Sequence, residues 1–160
     1  MISHLIHTWN LNLAYARRLV ADLAEEQMTV QPAPGMNHAA WVLGHLACSG
    51  DLVGGLIGNT PVCPPEWQPL FDWNSTPKAG SAQYPSKAEL LAALEAVHAG
   101  IAAALPVVPA SRWTDPMPID EIRGLLPTLG DGFVFVMTAH ENMHLGQLSA
   151  WRRAQGMPRV

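Results

Sequence analysis

TLGDGFVFVMTAHENMHLGQLSAWRRAQ, residues 128–155, is the longest helical pattern in the chain, and its reading decides the fold. Phe133, Met137, His140, His144, Gln147 and Trp151 recur at three- and four-residue steps, the spacing that lines up side chains on one face of a helix. The pattern begins near Thr128 or Asp131 and runs to Gln155, where Gly156 can take the left-handed conformation that closes a helix and Pro158 prevents its resumption. His140 and His144 stand one turn apart on that face. Two neutral imidazoles so placed form a bidentate grip for a borderline-soft metal such as zinc; the same spacing also suits two histidines on a half-buried face.

Three further helices precede this one. The first runs from about Ile2 to Glu25, with Leu5, Ile6, Trp9, Leu13, Ala16, Val20 and Leu23 on one face. Pro32 and Pro34 break the pattern, and Asn37 can cap the second helix, about His38 to Ile57, in which Gly50 and Gly54 let a neighbouring backbone approach closely. Gly58 to Pro85 is a long connection with six prolines and with Trp67, Phe71, Trp73 and Tyr84, which reads as a packed cover over the core. Ser86 to Glu89 fits a capping box, so the third helix starts there and ends at Leu105-Pro106. A short helical turn lies around Ile119 to Leu126. No useful alternating strand pattern appears, and the chain reads as an all-α four-helix bundle, a single domain over 1–160.

Composition narrows the function. At 160 residues the chain can bury a continuous core. Charged residues are 14% and the hydrophobic set 49%, an apolar balance that suits a chain burying surface against a partner, hence a homo-oligomer. A net charge of -4 with no basic run removes the footprint that nucleic-acid binding needs. The apolar window from Ala39 to Gly58 carries His45, Ser49 and Asp51, costly groups in lipid, so it reads as a buried helix and no membrane is expected. The start lacks the basic and apolar regions of a secretory signal, and Cys48 and Cys63 make no disulfide framework; both features suggest the cytoplasm.

Helix two contributes His45, mid-helix in a run where an unpartnered imidazole would be costly to bury. Metal ligation would satisfy it, as would a hydrogen bond to a carbonyl or carboxylate. Trp41-Val42-Leu43-Gly44-His45-Leu46, preceded by a Pro-Gly turn, together with His140-x3-His144-x-Gly146-Gln147, resembles the DinB-like (DinB/YfiT-like) superfamily over nearly the whole chain. The resemblance implies a four-helix bundle, often dimeric, in which three histidines bind a divalent metal; carried over, these are His45, His140 and His144. Three nitrogens with open positions suit a catalytic metal, because a structural zinc site fills its positions with protein atoms. Such a metal can hold a thiol as thiolate or lower the pKa of a bound water. Family members include metal-dependent transferases of low-molecular-weight thiols, which implies thiolate attack on an electrophilic small molecule. Zinc, nickel and iron all accept such ligands.

Other residues compete for roles. Gln147, one turn after His144, can bond a ligand imidazole or cap a neighbouring helix. Cys48, one turn from His45, is a soft ligand candidate or a small buried thiol. His38 shares the face of His45 but sits at the helix start, where exposure is the commoner fate. Asp51 can partner a histidine across the bundle, and His4, His7 and His98 read as structural or exposed. His140 to His144 also matches HExxH, in which Glu141 would be the general base of a metal-dependent hydrolase; the missing sheet and the absence of a later histidine weigh against it. A third reading is a non-catalytic, metal-stabilised binding or stress-related dimer.

Overall fold

The computed structural model describes residues 1–80 and 83–160, so Ser81 and Ala82 in the long connection lie outside the described residues. The fold is all-α. Its helices are α1 (Ile2–Val20), α2 (Ala39–Leu56), α3 (Gln68–Phe71), α4 (Lys87–Ala104), α5 (Asp120–Arg123), α6 (Leu129–Val134) and α7 (Glu141–Ala154). A π-helical turn, Phe135–His140, joins α6 to α7. Among the described residues the β structure amounts to an isolated bridge, Pro116 to Thr128.

The long helices close a ring in which α2 packs on α4 and α7, and α1 packs on the same two. Along α2, every residue from Ala39 to Ala47 is buried, as a helix in the middle of a domain requires. Gly50 lets α4 approach: a Cβ there would lie 2.6 Å from Val97 Cγ1. The α4 stretch, continued to Val107, is long and apolar enough to cross a membrane by length and composition. In the fold its Leu90, Leu94, Val97 and Ile101 enter the core.

Helix ends follow local chemistry. Ser86 and Glu89 cap α4 reciprocally, and Thr128 with Asp131 does the same for α6. Gly156, at φ 72°, closes α7 as Met157 N–H donates to Arg152 O and Gly156 N–H to Arg153 O, a Schellman motif.

Three boundaries differ from the sequence reading. α1 stops at Val20, not Glu25, because its last carbonyls find side-chain donors: Arg152 Nη1 donates to Leu19 O at 2.9 Å and Lys87 Nζ to Val20 O at 3.3 Å. His38, not Asn37, caps α2, its Nδ1 accepting from Trp41 N–H at 3.1 Å. The last long helix is not a uniform α-helix; it carries the π turn immediately before the histidine pair. In the connection Trp67 and Phe71 are buried and Tyr84 is half-buried, whereas Trp73 is exposed.

The close α2–α4 approach gives a direct test. Gly50→Ala should lower unfolding free energy by about 1–3 kcal/mol through overpacking, and Val97→Ala in the same chain should recover part of that loss. Additive losses in urea titrations of the two single variants and the double variant would contradict the contact.

Candidate metal centre

His45 on α2 and His140 and His144 on the last long helix converge, each offering a ligand atom within 4.8 Å of the others. Their ring centroids are 4.6–5.0 Å apart. Tautomers follow from the surroundings. His45 Nδ1–H donates to the Phe71 carbonyl at 2.7 Å, and since a carbonyl can only accept, Nε2 of His45 carries a lone pair. That nitrogen lies 3.0 Å from His140 Nε2. His144 Nδ1–H donates to Gln147 Oε1 at 3.0 Å, leaving its Nε2 with a lone pair.

Each support has a local origin. Gly44 precedes His45, and a Cβ there would lie 2.3 Å from the Phe71 ring; the missing side chain lets α3 settle on α2 so that the carbonyl of Phe71 reaches the imidazole. Trp41, one turn earlier, stacks on His45 at 4.5 Å with a 9° interplanar angle. Its indole N–H donates to Ser75 Oγ at 2.8 Å, tying the connection to the site. Gln147 Oε1 accepts a second hydrogen bond, from Asn37 Nδ2 at 3.0 Å.

Burial sets the electrostatics. His45 and His144 are almost wholly enclosed and His140 half-buried. Desolvation pushes the His45 imidazole below its ordinary range. Desolvation, reinforced by neighbouring imidazoles, takes His140 to about 3 and His144 to about 4. All three are neutral at pH 7, the form that binds metal. The donor set therefore fits a divalent metal: neutral nitrogens, two with their hydrogens held on oxygen acceptors, and no fourth protein ligand in the cluster among the described residues.

The remaining candidates lie elsewhere. Glu141 does not join the three imidazoles; it is buried and accepts from His98 Nε2–H at 2.7 Å. His98, in turn, is buried and stacked on Trp9 at 3.6 Å. Cys48 is outside the cluster, its thiol engaging Cys63, whose own thiol that contact and burial push up. Asp51 accepts from Val62 N–H and Cys63 N–H and meets no histidine. His38 is fully buried, against the expectation of exposure, because its ring sits edge-on to Tyr84 at 4.7 Å. His4 and His7 are exposed. A groove of about 980 Å³ between the start of α1 and residues 125–139 includes Phe135, whose ring lies 5.6 Å from that of His140. Nothing in the sequence marks the Phe71 carbonyl as the acceptor for His45, since a backbone oxygen has no residue signature, nor Asn37 as bonding Gln147 where a helix cap was expected.

The model of the DinB superfamily matches residues 3–148, a span that includes all three histidines. The chain belongs to the DinB superfamily. A solved structure described as a conserved protein of locus from Enterococcus faecalis superposes on this DinB-superfamily chain with a TM-score of 0.78 at 22% identity, covering 96% of each chain. At that identity the likeness speaks for the fold. No curated protein matches the chain.

The depressed imidazoles predict a pH dependence. The unfolded chain takes up protons near 6.5, whereas folded His38 and His144 hold out to about 4 and His140 to about 3. Their stabilisation is complete above 6.5 and is lost as pH falls toward 4, because the unfolded state binds more protons there. Glu141, raised by burial, runs the other way, one group against these three and His45, which is depressed as well. Urea midpoints of metal-free protein should fall from pH 7 to pH 4, and less steeply in His38→Asn, which keeps a capping side chain. A flat profile would contradict the assignment.

Proposed function

We propose that this DinB-superfamily protein is a metal-dependent enzyme acting on small molecules, with transfer of a low-molecular-weight thiol to an electrophile as its reaction. The observation that carries the reading is the convergence of three neutral imidazoles, two of them oriented through Nδ1 by the Phe71 carbonyl and Gln147. In metal enzymes such outer partners fix the ring and raise its basicity. A divalent metal bound by His45, His140 and His144 supplies Lewis acidity, which favours thiolate over thiol, or hydroxide over water, at neutral pH. Zinc, nickel and iron each suit imidazole ligation. The chain's own residues orient the ligands, and Trp41, stacked on His45, together with Phe71 restricts water around that ring.

Against the hydrolase reading stands Glu141. Its carboxylate accepts from His98 and is 2% exposed, so it is not poised as a base beside the three imidazoles. The near-complete enclosure of His45 and His144 favours a second reading, a metal-stabilised module without turnover. Both readings predict that chelation lowers thermal stability, since a ligand bound to the native state alone stabilises it; the enzyme alone should bind a thiol at the metal. A homodimer and a cytoplasmic setting belong to the proposal. Exposed Leu125 and Val134 along the groove support the first, and two free thiols, Cys48 and Cys63, support the second.

Metal content by plasma mass spectrometry on tag-free wild type and His144→Ala tests the reading. About one divalent ion per chain, lost in the variant, is the predicted result. Cobalt-loaded wild type should then gain a sulfur-to-cobalt absorption band on addition of a small thiol. Metal absent from both proteins after reconstitution with zinc, nickel and iron would overturn the enzyme reading, and a cobalt form blind to thiols would leave the stabilised module.

A further inference from the structure

The helical stretch leading into the histidine pair is out of register with itself by one residue. α7 buries Glu141, His144, Leu145, Leu148, Trp151 and Arg152. Stepping back along that face at about 3.6 residues per turn leads to roughly 137, 134 and 130. The buried face there is centred about one position earlier, on Leu129, Gly132, Phe133, Val136 and Met137, while Val134 is 53% exposed. A π turn inserts one residue and so rotates the flanking segments by about 100° relative to each other. The turn at Phe135–His140 makes that correction, and it ends on a candidate metal ligand.

Such a turn disturbs the helical hydrogen bonds. Glu141 N–H reaches Thr138 O, so Met137 O loses the donor that a regular α-helix would give it. Asn12 on α1 supplies one: its Nδ2 donates to Met137 O at 3.2 Å. Asn12 is 6% exposed, and an amide in that position is costly unless hydrogen-bonded. A second hold acts through the adjoining side chain, as His98 Nε2–H on α4 donates to Glu141 Oε1 at 2.7 Å. His98 is itself fixed by its stack on Trp9, whose Nε1–H donates to the His98 carbonyl at 3.2 Å. Thus α1 and α4 grip the turn through Met137 and Glu141, while the neighbouring His140 meets His45 on α2.

We infer that Asn12 and the His98–Glu141 pair are positioning residues for the three-histidine centre, holding the π turn that sets His140 against His45. The inference rests on the metal-binding reading above for its functional consequence, and on the helix geometry alone for its structural one. No ligand contact is assigned to these residues; they act through the turn.

The test compares wild type with Asn12→Leu, which removes the donor at similar volume, and Asn12→Gln, which keeps a donor. His45→Ala serves as a ligand-loss control. Asn12→Ala replaces the leucine variant if that one fails to fold by circular dichroism. Cobalt affinity, measured by chelator competition, should fall about tenfold or more in the folded donor-less variant, as for other outer-shell losses, with altered d–d bands, and recover in Asn12→Gln. A crystal structure of the metal-free variant should show the 135–140 turn rewound or His140 withdrawn from His45. Wild-type cobalt affinity and bands in that variant, or an unchanged turn and His45–His140 approach in its crystal structure, would overturn the inference. Should wild type itself take up no cobalt, the metal reading fails and the crystal comparison alone decides the positioning.

Discussion

An imidazole has two nitrogens, and each one buried without a partner costs stability. This chain encloses His38, His45, His98 and His144 and half-encloses His140, and much of its irregular structure supplies these rings with partners, while Nε2 of His38 and Nδ1 of His98 and His140 are left without one. The short α3 sits where it does because Gly44 makes room for Phe71, whose carbonyl then takes the hydrogen of His45. Asn37 and Gln147 join the start of α2 to α7 around His144. His38 turns its Nδ1 to the backbone of α2 as a cap. An apolar core at these positions would be simpler to build, since each buried polar group costs stability unless paired. The arrangement directs Nε2 of His45 and of His144 toward a shared space with His140.

Much of this was legible in the sequence, for reasons that can be named. The i, i+4 spacing of His140 and His144 is a local property of a helix, and His45 stood out as an ionisable group inside an apolar run. The Ser86 capping box and the Gly156 stop depend on a few adjacent residues, and both appear in the structure. The family resemblance carried by Trp41 to Leu46 and His140 to Gln147 led to the superfamily that the match over residues 3–148 shows.

What the sequence did not disclose depends on contacts between distant segments. The π turn leaves the heptad-like pattern of the helix nearly intact, and only the switch of the buried face between Phe133 and Glu141 reveals it. Glu141 could be placed beside the histidines by helical geometry, yet α4 supplies His98 and draws the carboxylate into the core. Asp51 likewise lay free for a histidine partner until the backbone of Val62 and Cys63 claimed it. In each case a side chain with several possible partners was settled by which backbone or helix arrived next to it.

The central claim is that the three imidazoles bind one metal through nitrogen and leave positions open. X-ray absorption on the zinc-loaded protein tests it most directly. The account predicts three imidazole nitrogens at about 2.0–2.1 Å with one or two further light-atom neighbours from solvent. A shell containing protein sulfur, or fewer than three imidazoles, would contradict it.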